Sequence, residues 1–216
     1  DEKRVPAELK DIPLTVRQAT VAIEDKNFYK HEGFDLLGYG RIVYNVIFKH
    51  RLIGGSTLTQ QIVKNVLLTS ERTLPRKIKE LVLAIQIDRK YTKDQILQIY
   101  LNEAPYGGTA WGVATASETY FGKPIKDVNL IESAILAGMP QSPSYYSPYG
   151  NYPNAFKGRT QDVLRRMRED GYITKAQEQQ ALKDLDKVKF KPLGAGILAP
   201  HFVMYVKGLL EEKYGQ

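Results

Sequence analysis

The chain of 216 residues contains no cysteine and only three histidines. The absence of cysteine excludes a disulfide framework, a thiolate zinc site and a cysteine nucleophile. The histidines lack the spacing of a zinc-protease helix, and the motifs of serine hydrolases, Walker loops and dinucleotide-binding turns are also missing. No window approaches the roughly 18 consecutive apolar residues of a membrane-spanning helix. We therefore expect any membrane anchor to lie outside these residues.

Positive charge is concentrated in one part of the chain. Lys and Arg number 31 against 24 Asp and Glu, which gives a net charge of +7. Residues 41–93 alone hold 11 basic and 3 acidic side chains, a net +8, so the remainder is close to neutral. Such asymmetry is typical of a protein with an anionic partner, whether nucleic acid, an anionic membrane surface or a phosphorylated substrate. A solvated basic face without a partner is the plain alternative.

Apolar residues recur at three- and four-residue spacing through most of the chain, which predicts a mainly α protein. Capping-box sequences at Thr57, Thr92 and Thr174 mark three helix starts. Residues 188–190 are the only alternating stretch, a weak strand candidate, and residues 139–153 are predicted to form an ordered irregular connection. The predicted helices span residues 14–24, 34–48, 57–67, 73–91, 92–101, 111–121, 129–137, 154–168, 174–185 and 202–214.

Two adjacent acids, Glu24 and Asp25, end the first predicted helix. Negative charge at a helix C-terminus is opposed by the helix dipole, so this position is locally costly. A carboxylate in such a place is a candidate general base. The simpler interpretation, that one of the acids begins an Asx turn, stays open.

A second candidate element is the pair Arg76 and Glu80, which lie at i, i+4 on one helix face. The opposite face carries Ile78, Val82 and Ile85. A surface ion pair is the simple explanation, but this order of Arg before Glu adds little stability.

A third element is the turn Gly54-Gly55, which leads into a helix N-terminus where free N–H groups and the helix dipole suit an anion. Thr57, Gln61 and Lys64 follow at spacings of four and three, and we expect them to share one helix face. Hydroxyl, amide and ammonium groups on one stripe suit a phosphate or sugar-phosphate, although a polar solvent face would look similar.

Together these motifs resemble the peptidoglycan glycosyltransferase domain of class A penicillin-binding proteins and its monofunctional relatives. The resemblance covers nearly the whole chain. The fifth motif departs from the family pattern, because Thr109 stands where a glycine is usual and Ala104-Pro105 stand where bulkier residues are usual. The five ordered motifs are residues 24–33, 55–65, 76–80, 96–102 and 107–123.

The resemblance implies a lysozyme-like helical head with a smaller membrane-facing jaw, at residues 38–72. Residues 1–216 would form one glycosyltransferase domain, with 186–216 as a linker toward a transpeptidase domain and an N-terminal transmembrane anchor in the full-length protein. The domain would lie at the extracytoplasmic face of the bacterial cell membrane and be a target of moenomycin. The apolar stretch 42–48, followed by basic residues, fits contact with a bilayer interface, although an ordinary core helix would look the same.

The implied reaction is polymerisation of lipid II into β-1,4 glycan strands, with inversion and release of undecaprenyl diphosphate. Glu24 would be the general base, and Glu80 would position acceptor-side groups or a divalent cation, Mg²⁺ or Mn²⁺. Lys64 and Arg76 would hold the diphosphate. The implied partners are lipid II, the nascent lipid-linked chain and the membrane surface, with no nucleic acid. The other candidate substrate-binding residues, which line the donor cleft or shape the first motif, are Ser56, Thr57, Gln60, Gln61, Asn65, Lys77, Asp25, Phe28 and His31.

Two other functions use parts of the same pattern. A lysozyme-like glycoside hydrolase or lytic transglycosylase acting on peptidoglycan would also be helical with an essential Glu. It has no need, however, for the basic residues and glycine turn that a diphosphate leaving group requires. A basic helical nucleic-acid binder would bind with strong salt dependence, but it gives no role to Glu24 or Glu80.

Overall fold

The structure, a computed structural model, describes residues 6–33, 56–67 and 74–192. These ranges contain no β-strand, and one isolated bridge pairs Pro105 with Trp111. The prediction of a mainly α protein is confirmed. The helices are α1 (Leu14–Glu24), α2 (Leu58–Ile62), which continues as a π-helical turn (Val63–Leu67), α3 (Leu74–Lys90), α4 (Lys93–Glu103), α5 (Val113–Phe121), α6 (Leu130–Gly138), α7 (Pro143–Tyr146), α8 (Ala155–Glu169) and α9 (Lys175–Leu185).

Side-chain caps fix where several helices begin. Thr57, Thr92 and Thr174 each form a complete capping box, as the sequence predicts. Asn129 forms a fourth with Glu132, in addition to the three predicted boxes. Each box satisfies backbone N–H groups that a helix start leaves without an intrahelical partner. Local sequence therefore determines these boundaries.

Several predicted segments lie outside the described residues. These are the helices at 34–48 and 202–214 and the larger parts of the jaw at 38–72 and of the linker at 186–216. Among the described helices, none combines the length and hydropathy needed to cross a membrane.

The weak strand candidate at residues 188–190 does not form a strand. This segment runs as irregular chain after α9. The Phe190 ring of this segment packs against Phe121, Phe156 and Tyr120, with ring centroids 5.8, 5.1 and 6.5 Å away. The Lys191 N–H then donates to the Tyr120 carbonyl at 2.8 Å, at the end of α5. The segment is therefore held by contacts between Phe190 and aromatic rings on α5 and α8, and among the described residues it has no partner strand with which to form a β-ladder.

The connection at 139–153 is ordered, as predicted, but it is not irregular throughout. It contains the 3-10 turn Met139–Gln141 and the one-turn helix α7.

Helices α1, α6 and α8 pack against one another at the centre of the hydrophobic core. Fully buried alanines, Ala19 and Ala22 on α1 and Ala134 on α6, leave room for close approach of these helices. Helix α2 packs against both α3 and α4. The C-terminal end of α1 consequently lies within reach of side chains from α2 and α8.

The loop between α4 and α5 leads into the fifth motif, and it accommodates both departures from the family pattern. The Tyr106 N–H donates to the Ala110 carbonyl at 2.9 Å, and the Ala110 N–H donates to the Gly107 carbonyl at 3.0 Å. Ala104 is buried, so its small side chain fits, whereas Thr109 lies exposed at the tip. Gly107 and Gly108 have positive φ angles of 105° and 56°.

We expect Gly107→Ala to destabilise the protein more than Gly108→Ala. Positive φ costs either alanine about 1–3 kcal/mol. A Cβ at Gly107 would also lie 2.8 Å from the Tyr120 hydroxyl and 2.9 Å from the Pro143 carbonyl oxygen, whereas no atom of the described residues lies within 4 Å at Gly108. Urea unfolding of the two variants measures the difference. Equal losses of unfolding free energy would contradict the steric argument.

Candidate active site

Glu24, the last residue of α1, is held by two other helices. Arg159 on α8 donates from Nη2 to Oε1 at 2.8 Å, and Gln61 on α2 donates from Nε2 to Oε2 at 2.9 Å. The Glu24 and Arg159 side chains are 9% and 12% exposed. Both carboxylate oxygens therefore have a fixed donor, and the group is shielded from most of the solvent.

Two buried tyrosines extend this arrangement. The Tyr100 hydroxyl donates to Gln61 Oε1 at 3.3 Å. Burial, and then the nearby Glu24 carboxylate, raise the pKa of Tyr100 and of Tyr106. The Tyr100 phenol therefore stays protonated and acts as a donor at neutral pH. This bond turns the Gln61 amide so that its NH₂ group faces Glu24.

Asp25, although adjacent to Glu24, has a different set of partners. His31 Nε2 lies 2.9 Å from both of its carboxylate oxygens, and the Leu58 N–H donates to Oδ2 at 3.0 Å. Leu58 is the first residue of α2, so the carboxylate lies where the helix dipole favours negative charge. Asp25 thus connects the first motif to the second, whereas Glu24 bonds side chains of α2 and α8.

Phe28 lies in the core of the first motif and is fully buried. Its ring makes edge contacts with Tyr29 and His31, at centroid distances of 5.1 and 6.2 Å. Lys93 Nζ lies 4.8 Å from the ring centroid, in a cation–π position. Phe28 and His31 therefore shape the turn that follows Glu24.

The polar residues of the second motif divide into two groups. Thr57 and Gln60 are buried, where they close the capping box, and the Thr57 hydroxyl also donates to the Gly33 carbonyl at 3.0 Å. Lys64 and Asn65 are exposed in the π-helical turn. The common face of Thr57, Gln61 and Lys64 stays a prediction; the three side chains are buried, half-buried and exposed, respectively. Ser56 precedes the helix and is half-buried.

On helix α3, the Glu80 carboxylate faces inward, whereas part of the apolar stripe faces solvent. Glu80 is 5% exposed, whereas Ile78 and Val82 are 56% and 47% exposed. Lys77 Nζ donates to Glu80 Oε1 at 2.5 Å and to Ser56 Oγ at 3.3 Å. Arg76 is half-buried in the first turns of the same helix. The structure thus brings Lys77 and Glu80 to the start of α2, the helix whose Gln61 bonds Glu24.

The described residues do not provide a metal cage. Within 6–33, 56–67 and 74–192, no group of three or more His, Asp or Glu side chains is placed to hold an ion. Glu80, the carboxylate expected to bind a divalent cation, is bonded to Lys77. Mg²⁺ commonly takes only one or two protein carboxylates and draws its other ligands from water and substrate phosphates.

Arg159, Tyr100 and Tyr106 were not among the predicted site residues. Arg159 had one signal in the sequence, since it lies at three- and four-residue spacing between Phe156 and Val163 on the buried stripe of α8. A cation in such a stripe indicates a buried partner. Tyr100 and Tyr106 carry no such signal, because buried tyrosines are common in cores.

Comparison with known proteins gives consistent matches. A sequence profile of the family described as Transglycosylase matches residues 1–168. Penicillin-binding protein 1A of Clostridium botulinum (strain Langeland) is 44% identical over 198 residues, which cover 88% of this chain and 24% of that protein. Penicillin-binding protein 1F of Bacillus subtilis is 42% identical over 174 residues, 80% of this chain and 24% of that protein. This chain thus spans about a quarter of the length of these relatives.

Among solved structures, the crystal structure of penicillin-binding protein 1A from Haemophilus influenzae aligns with 100% of this chain and 22% of its own. The TM-score is 0.55 at 23% sequence identity. At that identity the match shows a shared fold, in agreement with the helical architecture described above.

Proposed function

The chain belongs to the transglycosylase family, which confirms the resemblance seen in its motifs, and from this we propose that it is a peptidoglycan glycosyltransferase that polymerises lipid II. The observation that carries the proposal is the Glu24 carboxylate, shielded from solvent and held on both oxygens at the meeting point of α1, α2 and α8. A base in this setting is held in a single orientation, as proton abstraction from a bound hydroxyl requires.

The proposed reaction is a single displacement. The acceptor 4-hydroxyl gives its proton to Glu24, and its oxygen forms a bond to C1 of the donor sugar. The bond between C1 and the diphosphate oxygen breaks, and the electron pair leaves with undecaprenyl diphosphate. Attack opposite the leaving group inverts the configuration at C1 and needs no covalent enzyme intermediate.

Fixed positive charge would stabilise the departing diphosphate. Lys64 is exposed after α2, and Arg76 and Lys77 lie at the start of α3, which packs against α2. Lys77 also reaches Ser56 and Glu80, so we propose that this network orients the cations near the leaving group. Mg²⁺ or Mn²⁺ remains a prediction from the resemblance, and no step is assigned to it.

We expect Lys64→Met to raise the KM for lipid II about tenfold or more, because a hydrogen bond to a charged group contributes about 1.5–3 kcal/mol. Lys79→Met removes a charge from an exposed position on α3 and serves as the matched control. Initial rates over a range of lipid II concentrations measure both variants. An equal KM for lipid II in the two variants would contradict the assignment of Lys64 to the diphosphate site.

Product analysis tests the function itself. Incubation with purified lipid II is expected to yield polymeric glycan, which muramidase then degrades. A lysozyme-like hydrolase or lytic transglycosylase would instead release soluble fragments from isolated sacculi. Fragment release without polymer formation would reject the proposal in favour of that alternative.

The relatives support a larger context for this domain. They are penicillin-binding proteins about four times as long as the matched region. We therefore propose that the parent protein carries a transpeptidase domain and an N-terminal transmembrane anchor. The glycosyltransferase would then meet lipid II and the nascent chain at the extracytoplasmic membrane surface.

A further inference from the structure

Helix α8 holds the C-terminal end of α1 by two arginines. Arg159 Nη2 bonds the Glu24 carboxylate at 2.8 Å, and Arg166 Nη1 donates to the Ile23 carbonyl at 3.2 Å. Arg159 also donates from Nε to the Gly138 carbonyl at 3.4 Å, at the end of α6. The guanidinium therefore joins all three central helices at the candidate base.

Stability alone explains this arginine poorly. Removing two charges from water costs about as much as their attraction returns, and apolar side chains of similar volume often hold helices together equally well. What an apolar pair cannot do is fix the orientation of a carboxylate. The planar guanidinium can, since its donors have a rigid geometry that matches carboxylate oxygens.

The stem of Arg159 is itself held in place. An ideal Cβ built on Gly138 would lie 2.9 Å from Arg159 Cγ, so the absence of a side chain there makes room for the arginine. The Gly138 backbone lies in the ordinary right-handed helical region, with φ −77° and ψ −22°. Close packing on one side and a carbonyl bond on the other leave the guanidinium little freedom to turn.

We propose that Arg159 is a positioning residue that acts through Glu24. Arg159 fixes Oε1 and Gln61, oriented by Tyr100, fixes Oε2, so that the unused lone pairs of the carboxylate point where the acceptor hydroxyl gives up its proton. This inference rests on the proposed function of Glu24 as the base. It adds a residue from the last third of the chain to the machinery of the first two motifs.

The test compares lipid II polymerisation by the 216-residue chain and its variants. We expect Arg159→Ala to lower kcat about 100-fold, the effect of a displaced catalytic group, with KM changed by no more than about twofold. Millimolar guanidinium ion is expected to restore part of the lost rate. Arg165→Ala, on the exposed face of the same helix, is the control and should behave as the wild type in both conditions.

Two further variants test the inference in case Arg159→Ala fails to fold. Gly138→Ala leaves every charge in place and suits a helical backbone, yet its Cβ would displace the Arg159 stem. Arg159→Lys keeps the charge but loses the planar guanidinium with its fixed donors. Both are expected to keep the wild-type circular dichroism spectrum and to lower kcat at least about fivefold, as a smaller displacement of the base would.

The outcomes distinguish failure of the inference about Arg159 from failure of the proposed function. A kcat within about threefold of wild type in Arg159→Ala, or in the other two variants if that one fails to fold, would overturn the inference. Inactivity of the wild type towards lipid II would reject the proposed function instead. In that case, crystal structures of the wild type and Arg159→Lys still test the inference, and an unmoved Glu24 carboxylate would overturn it.

Discussion

The Glu24→Gln variant is expected to lose at least about 100-fold of its lipid II polymerisation rate while it keeps its fold, since loss of a general base typically costs 10²–10⁴-fold. Glutamine has the shape of glutamate, so its amide oxygen can still accept from Arg159. It has no basic oxygen that can take a proton from the acceptor. Binding of lipid II, which depends on the basic residues and the cleft, should be largely retained.

The measurement pairs initial rates with circular dichroism and a lipid II binding assay. Glu118→Gln is the matched control, because it makes the same chemical change at an exposed position on α5. Retention of more than about a tenth of the wild-type rate by Glu24→Gln would exclude Glu24 as the general base. Loss of binding together with rate would assign Glu24 to substrate recognition instead.

Phe28→Ala is expected to lower the free energy of unfolding by about 3–5 kcal/mol, the usual cost of truncating a buried Phe. The ring is 0% exposed and packs against His31 and Tyr29 on one side of the turn. Its removal would leave a cavity beneath the bond between Asp25 and His31. We therefore expect activity to fall along with stability.

Tyr29→Ala provides the comparison for this variant. Tyr29 is the next residue and also aromatic, but it is 53% exposed, so its truncation should cost roughly 1 kcal/mol or less. Urea unfolding followed by circular dichroism measures both variants. Similar losses in the two would show that burial of Phe28 does not stabilise the first motif.

Features that depend only on neighbouring residues could be predicted from the sequence. Thr57, Thr92 and Thr174 begin helices because a capping box needs only four consecutive residues. Glu24 could be singled out because the costly position of an acid at a helix end is visible locally. The motifs identified the family for the same reason, since each is a short ordered run.

Features that depend on distant contacts could not be predicted. Arg159 bonds Glu24 across 135 positions, and no local pattern connects the two. The apolar stripe of helix α3 predicts that Glu80 lies on the solvent side, yet Glu80 is buried and accepts from Lys77, which itself bonds Ser56. Residues 188–190 alternate like a strand, but their surroundings offer a cluster of aromatic rings in place of a neighbouring strand.

The π-helical turn after α2 changes the direction in which the side chains of the second motif point. Its hydrogen bonds span five residues, so each residue advances through a smaller angle than in an α-helix. Gln61 precedes this widening and faces inward to Glu24, whereas Lys64 falls within it and lies exposed. The wider turn therefore works as an angular offset, by which one short segment would serve both the proposed base and the proposed anion site.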